Sequence, residues 1–255
     1  MVYPLSVGNM WIYEREAHLY SYQDSSGTPE YEDTSTFQGT TTSQVTGLAT
    51  LRDTPEVFAI SSMADEGNDT YHAVDYYRNT DKGLYLHAYK GASTPHALPK
   101  AQMGSHILFK GMKFWSFREL LSTLEATLPA HPSLSDSLYF EDPPVKALHY
   151  PLEVGTHWTS RIADHPWRID KQVLSKELVL VPAGTFPCYR IQWLYDMDAD
   201  DQWDEDITVF DYISPAGLVC REAQIVGGIK TDEHSQPIGY LDWEEKYILT
   251  GLAVK

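Results

Sequence analysis

The sequence predicts an all-β, mainly antiparallel fold: a curved sheet, half-barrel or sandwich built from two related meanders. The 255 residues include 17 Tyr, 7 Trp and 8 Phe together with many Thr and Val, and these are residue types enriched in strands. Gly and Pro recur at short intervals, as they do in the turns between short antiparallel strands. The chain is long enough to bury a substantial core.

A nine-residue phrase that occurs twice predicts the two meanders. It reads YPLSVGNMW at residues 3–11 and YPLEVGTHW at residues 150–158, with six identical positions. Pro fixes φ, Gly can adopt a positive φ, and a Trp at a set distance can anchor the following strand in a core. We therefore expect structural roles, in turns and at equivalent buried positions, for Gly8, Gly155, Trp11 and Trp158.

The first meander is expected to span residues 1–90. Turn signals rich in Asp, Asn and Gly at residues 65–68 and 79–83 separate its last three strands. The expected strands are residues 11–22, 31–51, 57–63, 71–77 and 84–89.

Residues 91–149 read as a Pro-rich connector that carries one helix. Ser116 and Glu119 have the spacing of a capping box, and apolar residues recur at helical spacing from residue 117 to Leu128, just before Pro129. We expect the apolar face of this helix to cover the open side of the curved sheet. A docking surface for a partner is the alternative.

The second meander is expected to span residues 150–255 and to form one compact domain with the other two segments. Its alternating and aromatic-rich runs are separated by short turns. The expected strands are residues 158–162, 167–174, 177–181, 186–195, 207–213, 218–226 and 240–249.

The charge of the chain narrows the choice of partners. Its 36 acidic and 19 basic residues give a net charge of −17, which repels nucleic-acid backbones and anionic lipid headgroups. No run of about 18 apolar residues is present, so we expect no transmembrane segment. The expected location is periplasmic or extracellular if a leader has been removed, and cytoplasmic if Met1 is the genuine start.

An acidic segment at residues 196–206 is a candidate calcium site. It holds seven carboxylates, and its D-x-D-x-D spacing matches the opening of an EF-hand loop. Asp201 stands at the sixth position, where Gly is required, and Ile207 at the twelfth, where Glu belongs. A solvated hairpin tip is therefore the alternative. The candidate ligands are Asp196, Asp198, Asp200 and Asp204, and calcium is the only cofactor that the sequence suggests.

Aromatic and acidic side chains outside the repeated phrases are candidates for ligand binding. Exposed Trp can stack on sugars, and paired carboxylates are what glycoside hydrolysis requires. Trp also packs in cores, and adjacent acids on an acidic protein are commonly solvated. The candidate residues are Trp167, Trp203, Trp243 and Glu244.

The two cysteines, Cys188 and Cys220, lie in neighbouring predicted strands and could form a disulfide. The alternative is a pair of free thiols that pack as small core residues. No nucleophile elbow, zinc-ligand spacing or phosphate-binding loop occurs in the sequence, so we expect no catalytic residue.

The turn phrases together support a resemblance. The twice-used YPLxVGxxW, the VPAGTF at residues 181–186 and the SPAGLV at residues 214–219 resemble a group of uncharacterised bacterial secreted or lipid-anchored β proteins. The pattern is also loosely similar to the curved sheets of periplasmic lipoprotein carriers. The resemblance implies a cell-envelope address and no established activity. The sequence shows neither the leader nor the lipobox cysteine of such proteins, so the expectation from the resemblance does not extend to membrane anchoring.

These observations favour a noncatalytic envelope or secreted protein with a binding or scaffolding role. Its curved sheet is expected to hold an apolar or aromatic-lined concavity. The expected partner is a small apolar ligand, a glycan or an envelope protein. The alternative is a carbohydrate-binding or glycoside-hydrolysing protein that uses surface carboxylates and Trp.

Overall fold

The computed structural model describes residues 1–23, 33–52, 54–66, 69–91, 106–115, 117–124, 138–162 and 168–255. Within these ranges the chain forms fourteen strands and one helix, which confirms the all-β class. The elements are β1 (Met10–Tyr22), β2 (Asp33–Leu51), β3 (Thr54–Glu66), β4 (Asp69–Thr80), β5 (Gly83–Gly91), β6 (His106–Phe109), β7 (Met112–Phe114), α1 (Phe117–Leu124), β8 (Leu138–His149), β9 (His157–Ile162), β10 (Arg168–Val181), β11 (Gly184–Asp196), β12 (Ile207–Ser214), β13 (Gly217–Thr231) and β14 (Pro237–Ala253).

All strands belong to one antiparallel sheet in the order β8-β5-β4-β3-β2-β1-β14-β13-β12-β11-β10-β9. β6 pairs with β13 and β7. The two end strands, β8 and β9, meet at a seam where Trp158 Nε1 and Ser160 Oγ each donate a hydrogen bond of 3.0 Å to the Lys146 carbonyl. The curved sheet therefore nearly closes on itself.

The interior is divided into two hydrophobic clusters. The first, which we call the Trp11 cluster, includes Leu5, Trp11, Tyr13, Val45, Ile60, Trp158, Val173, Ile191, Ile213, Val219, Tyr247 and Leu249. The second, which we call the Trp243 cluster, includes Ala17, Ile107, Phe109, Leu120, Leu121, Leu124, Ile169, Trp193, Val209, Ile225 and Trp243. The helix α1 contributes three of its leucines to the Trp243 cluster, so it packs against the concave side of the sheet.

The two repeated phrases form turns with the same hydrogen bonds. The N–H groups of Gly8 and Gly155 donate to the carbonyls of Val45 and Val173, both at 2.8 Å. The φ angles of the two glycines are 93° and 89°, a region that favours glycine. Each turn feeds a strand whose first tryptophan, at positions 11 and 158, is buried at 1% and 6% exposure. Both glycines therefore lie in turns, and both tryptophans are buried.

The segment expected to be a connector contains strands as well as a helix. β8 pairs with β5, although two prolines at positions 143 and 144 had suggested irregular structure. These prolines fall where the pairing register shifts between Leu86 and Ala88, a place in a sheet that tolerates proline. The helix is described from Phe117 to Leu124, while Ser116 and the expected final turn at 125–128 lie outside the described residues.

Two strands expected in the second meander, at 167–174 and 177–181, are one strand, β10. The pairing of β10 with β11 is irregular between Val173 and Ser175. The alternation of apolar and polar residues is interrupted at the same place, and this interruption had suggested the end of one strand and the start of another. In the described parts of the chain no helix is long and apolar enough to cross a membrane.

Candidate functional site: a cavity beside a buried charged layer

Five strands of the sheet each place one charged residue on the inward face. Side chains alternate along a strand, so residues two positions apart point to the same face. Two positions from each charged residue along its strand, a member of the Trp11 cluster lies on one side. On the other side lies a residue that belongs to the Trp243 cluster or packs against it. The charged residues therefore form a layer between the two clusters. This charged layer consists of Arg15, Lys171, Asp211, Arg221 and Glu245.

The first ion pair of the charged layer joins β1 to β14. Arg15 Nε lies 2.8 Å from Glu245 Oε1, and Arg15 Nη2 lies 3.3 Å from Oε2, so the contact is bidentate. The side chains are 1% and 4% exposed. Trp243 Nε1 donates a further hydrogen bond of 3.1 Å to Glu245. Both charges are thus compensated inside the protein, as buried charges require.

The second ion pair joins β12 to β13. Arg221 Nε and Nη2 donate to the two carboxylate oxygens of Asp211 at 2.6 and 3.1 Å, and Trp193 Nε1 donates at 2.8 Å. Burial by itself raises the pKa of Asp211, but the Arg221 charge and these hydrogen bonds outweigh it and hold the pKa below its ordinary value. Asp211 is therefore an anion at neutral pH.

Lys171 differs from the other members of the charged layer. Its Nζ donates to the Ala147 carbonyl at 3.3 Å and lies 3.6 Å from the centroid of the Trp193 ring. Within the described ranges no carboxylate oxygen lies within 4.0 Å of this amine. Burial lowers the pKa of Lys171 to about 7, and the positive charges of Arg221 and Arg161 act in the same direction, whereas Asp211 opposes them.

A cavity of about 240 Å³ lies beside Lys171. Its wall includes Tyr13, Ser43 and Ser62 from the first meander and Ile169, Lys171 and Trp193 from the second. Other parts of the wall come from the seam strands β8 and β9, through Val145, Ala147, Ser160 and Arg161. The cavity therefore lies inside the curved sheet, directly behind its seam.

Three tyrosines in the cavity wall are neutral hydrogen-bonding groups. Burial raises the pKa of Tyr3 to about 12, and it raises the pKa values of Tyr13 and Tyr77 well above the ordinary tyrosine range. The Tyr13 hydroxyl donates to the Leu218 carbonyl at 3.0 Å. These phenols consequently add polarity to the wall without adding charge.

This site is not among the residues predicted from the sequence, although the sequence carries a signal for it. Ile169, Lys171 and Val173 occupy alternate positions of one strand, and Val209, Asp211 and Ile213 do the same in another. A charged residue between two apolar residues at a spacing of two points into a core. Such patterns are more informative than acidic runs, which commonly face solvent.

Trp203 and Trp243, two of the three tryptophans predicted to bind ligand, lie in different environments. Trp203 is 38% exposed, with the Arg168 guanidinium 5.2 Å from its ring centroid. Trp243 is completely buried, so the expectation that it is exposed for stacking is wrong. The reason is the alternation of β14, which turns Trp243 inward. Trp167 lies outside the described residues.

The adjacent acids Glu244 and Glu245 lie on opposite faces of β14, because successive residues of a strand alternate. Glu244 is exposed and accepts hydrogen bonds of 3.2 Å from the Tyr20 hydroxyl and from the Gln224 amide. Glu245 is buried in its ion pair with Arg15. The two carboxylates therefore do not face each other across a cleft, which is the arrangement that glycoside hydrolysis requires.

Part of the acidic segment is compatible with a cation. Oxygens of Asp196, Asp198 and Asp200 can all lie within 4.8 Å of one another. Asp204 does not join them, because it accepts the Met197 N–H at 2.9 Å and contacts Lys110 at 2.9 Å. The calcium hypothesis therefore involves three of the four candidate ligands, and the solvated hairpin tip stays the alternative.

Cys188 and Cys220 are free thiols buried in the sheet, so the structure corresponds to the alternative without a disulfide. They belong to β11 and β13, with β12 between them. Burial raises the pKa of Cys188 to about 11 and that of Cys220 to about 12. Both thiols are therefore protonated and poor nucleophiles at neutral pH.

No protein-family model matches the chain. No curated protein matches it. Two solved structures are similar over the whole length. A candidate lipoprotein from Parabacteroides distasonis is 14% identical, with a TM-score of 0.35, over 98% of this chain and 97% of that one. A candidate exported protein with a YmcC-like fold from Bacteroides fragilis is 10% identical, with a TM-score of 0.36, over 99% and 98%. At these values neither similarity supports a function for this chain.

Proposed function

We propose that the protein is a noncatalytic binding protein whose interior cavity holds a small organic molecule with a largely apolar body. The observation that carries this proposal is the cavity of about 240 Å³ between two hydrophobic clusters, with Lys171 in its wall. Concave sites with apolar walls and a few placed polar groups are the usual form of small-molecule sites. An envelope location remains a prediction from the turn phrases.

A difference between the two meanders explains why the cavity exists. Val45 and Val173 occupy matching positions, because each accepts the same hydrogen bond from a repeated glycine. Ser43 stands two residues before Val45, and its partner on β3 is Ser62. Lys171 stands two residues before Val173, and its partner on β11 is Trp193. The first meander thus has two small hydroxyls, joined at 2.8 Å, where the second has two long side chains.

This difference supports a binding role over a purely structural one. A core that served stability alone would fill the space opposite Lys171 and Trp193, since voids cost packing energy. Small polar side chains keep the space open and offer hydrogen bonds to an occupant. For scale, an engineered cavity of about 150 Å³ holds benzene. The cavity here therefore suits one aromatic ring with several additional atoms.

The noncatalytic part of the proposal rests on the state of the layer's carboxylates. Asp211 and Glu245 each receive two hydrogen bonds from an arginine and one from a tryptophan. A carboxylate held in this way is a poor base, because its lone pairs are engaged and its anionic form is stabilised. These residues support the cavity wall.

The test is calorimetric titration of the purified protein with indole, a neutral aromatic probe that fits the cavity volume. The wild-type protein is expected to bind indole, and Val145→Trp is expected to abolish binding because it fills the cavity. The matched control is Val154→Trp, at a valine that is 59% exposed. Binding that survives Val145→Trp, or a wild-type protein that binds no probe of this size, would contradict the proposal.

A further inference from the structure

We infer that the ligand of this cavity carries a single carboxylate, which pairs with the Lys171 ammonium while the apolar body of the ligand fills the rest of the space. This inference rests on the proposed function, and it adds the chemical class of the ligand. It follows from the charges around the cavity, from the position of the amine and from the composition of the opposite wall.

Three cations in or beside the cavity are matched by carboxylates of the protein. Each arginine is close to an acid from a neighbouring strand, and the contacts are hydrogen-bonded. The pairs are Arg15 with Glu245, Arg161 with Glu141, and Arg221 with Asp211. Lys171 has only the Ala147 carbonyl and the Trp193 ring as described contacts. A carboxylate ligand would supply the direct ion-pair partner that the described residues do not place beside this amine.

The amine is held in position to receive such a ligand. It comes from Lys171, near the start of β10, and contacts with β8 and β11 fix its location. A charged group inside a packed sheet is costly to desolvate, so a ligand that neutralises it gains the interaction without a large further desolvation of the protein. Charge-assisted hydrogen bonds of this kind are roughly twice as strong as neutral ones.

The opposite wall favours one negative charge over two. Asp75 faces the cavity from β4, and the other groups that β1, β2 and β3 contribute are uncharged. A second carboxylate on the ligand would approach Asp75, whereas a ring or alkyl chain would meet Ile60, Leu84 and Leu86. The ligand class is therefore an aromatic or medium-chain monocarboxylate of roughly ten to a dozen non-hydrogen atoms, judged against the volume that holds benzene.

Proton uptake follows from this pairing. Lys171 is deprotonated in most molecules at pH 8, because its pKa is about 7 in the free protein. A bound carboxylate favours the ammonium form and raises that pKa. Other charged groups face the amine or the cavity from neighbouring elements, namely Asp75 on β4, Arg161 on β9, Asp211 on β12 and Arg221 on β13. Asp211 favours the ammonium form of Lys171, whereas Arg161 and Arg221 disfavour that form. Because several charged groups lie near the cavity, substitution of Lys171 is needed to show that the proton is taken up by this residue.

The probes are 3-phenylpropionate and its neutral counterpart 3-phenylpropionamide, titrated into the protein by calorimetry, at each pH in two buffers that differ in ionisation enthalpy. We expect the carboxylate to bind at least about tenfold more tightly than the amide, since hydrogen bonds to charged groups are the stronger class. At pH 8 its binding should take up roughly 0.9 proton, and at pH 6 roughly 0.1, for a group with a pKa near 7.

Lys171→Met should remove both the preference for the carboxylate and the proton uptake, while the amide still binds. Lys176→Met, at an exposed position of the same strand, should behave as wild type. Equal affinities for the two probes in the wild-type protein, or a preference that survives Lys171→Met, would overturn the inference and leave the cavity's binding role intact. Failure of the amide, the carboxylate and indole to bind would overturn both.

Discussion

The Lys171 Nζ lies 3.6 Å from the centroid of the Trp193 ring, and the two residues are direct partners across β10 and β11. The ring face favours the ammonium form of the lysine, while burial favours the neutral amine. Burial has the larger effect and brings the pKa of Lys171 to about 7. Near pH 7 the charged and neutral forms of Lys171 therefore have similar free energies, and a small change in the surroundings shifts the proportion of the two forms. This property suits a binding site.

We expect Lys171→Met to stabilise the protein without ligand by about 1–4 kcal/mol at pH 6, as replacement of buried charges by apolar residues commonly does. The unfolded lysine stays protonated up to pH 10.5, whereas the folded one loses its proton above about 7. Between these values the unfolded state binds more protons, so wild-type stability rises with pH. The advantage of Lys171→Met should therefore shrink from pH 7 towards pH 10.

Chemical denaturation at pH 6, 8 and 9.5 measures this difference, and groups common to both proteins cancel in the comparison. Lys176→Met is the control, because its lysine is exposed on the same strand. If Lys171→Met were less stable than wild type at pH 6, the hydrogen bond from Lys171 to the Ala147 carbonyl would stabilise the seam. Lys171 would then be retained for stability, and a binding role would not be needed to explain it. A gain in stability with a loss of carboxylate binding is the pattern of a functional residue.

Neighbouring substitutions in β14 should have very different effects. Glu245→Gln removes the carboxylate charge from the buried ion pair with Arg15, and we expect a cost of about 3–5 kcal/mol. Glu244→Gln changes an exposed residue and should alter the free energy of unfolding by less than about 0.5 kcal/mol. Urea denaturation of both variants checks this prediction. Similar costs for the two would mean that the Arg15 pair does not stabilise the core.

The tryptophans of the repeated phrases should be important for stability. Trp158→Ala removes a side chain that is 6% exposed and whose indole N–H donates to Lys146 across the seam. We expect a cost of about 3–5 kcal/mol, as for other buried aromatic residues. Trp11→Ala should have a similar cost, because that residue is 1% exposed and donates to the Ala216 carbonyl at 2.6 Å.

Trp203→Ala is the matched substitution at a partly exposed tryptophan, and its cost should be about 1 kcal/mol or less. Denaturant midpoints report all three variants. Midpoints that do not move for the variants at positions 11 and 158 would show that the repeated phrases do not anchor the sheet.

Much of the fold was predictable from local sequence patterns. The alternation of apolar and polar residues identified the strands, and the repeated phrase identified the two buried tryptophans and their glycine turns. β6, β7 and β8 were not identified, and in β8 the two prolines are typical of a connector when pairing is unknown. Only the partner strand β5 shows that they fall at an irregularity, and that information depends on long-range pairing.

The site was less accessible to sequence analysis for a related reason. Glu244 and Glu245 are adjacent in the chain, and adjacency suggested a cluster, but a strand separates such neighbours onto opposite faces. Lys171 and Asp211 are 40 residues apart, and only the order of β10, β11 and β12 brings them near one cavity. Alternation could indicate that each points inward. It could not indicate which charges are paired.

The acidic segment gives the last prediction. Asp196, Asp198 and Asp200 can bring three oxygens together, but calcium takes six to eight, and Asp204 is engaged by Lys110. Asp196 also accepts the Asp200 N–H at 3.2 Å. We therefore expect 1 mM calcium to leave the Tm unchanged, as measured by scanning calorimetry. The control is Asp198→Asn, which removes an exposed carboxylate of the group. A Tm that rises with calcium in the wild type and not in Asp198→Asn would establish a calcium site and refute this prediction.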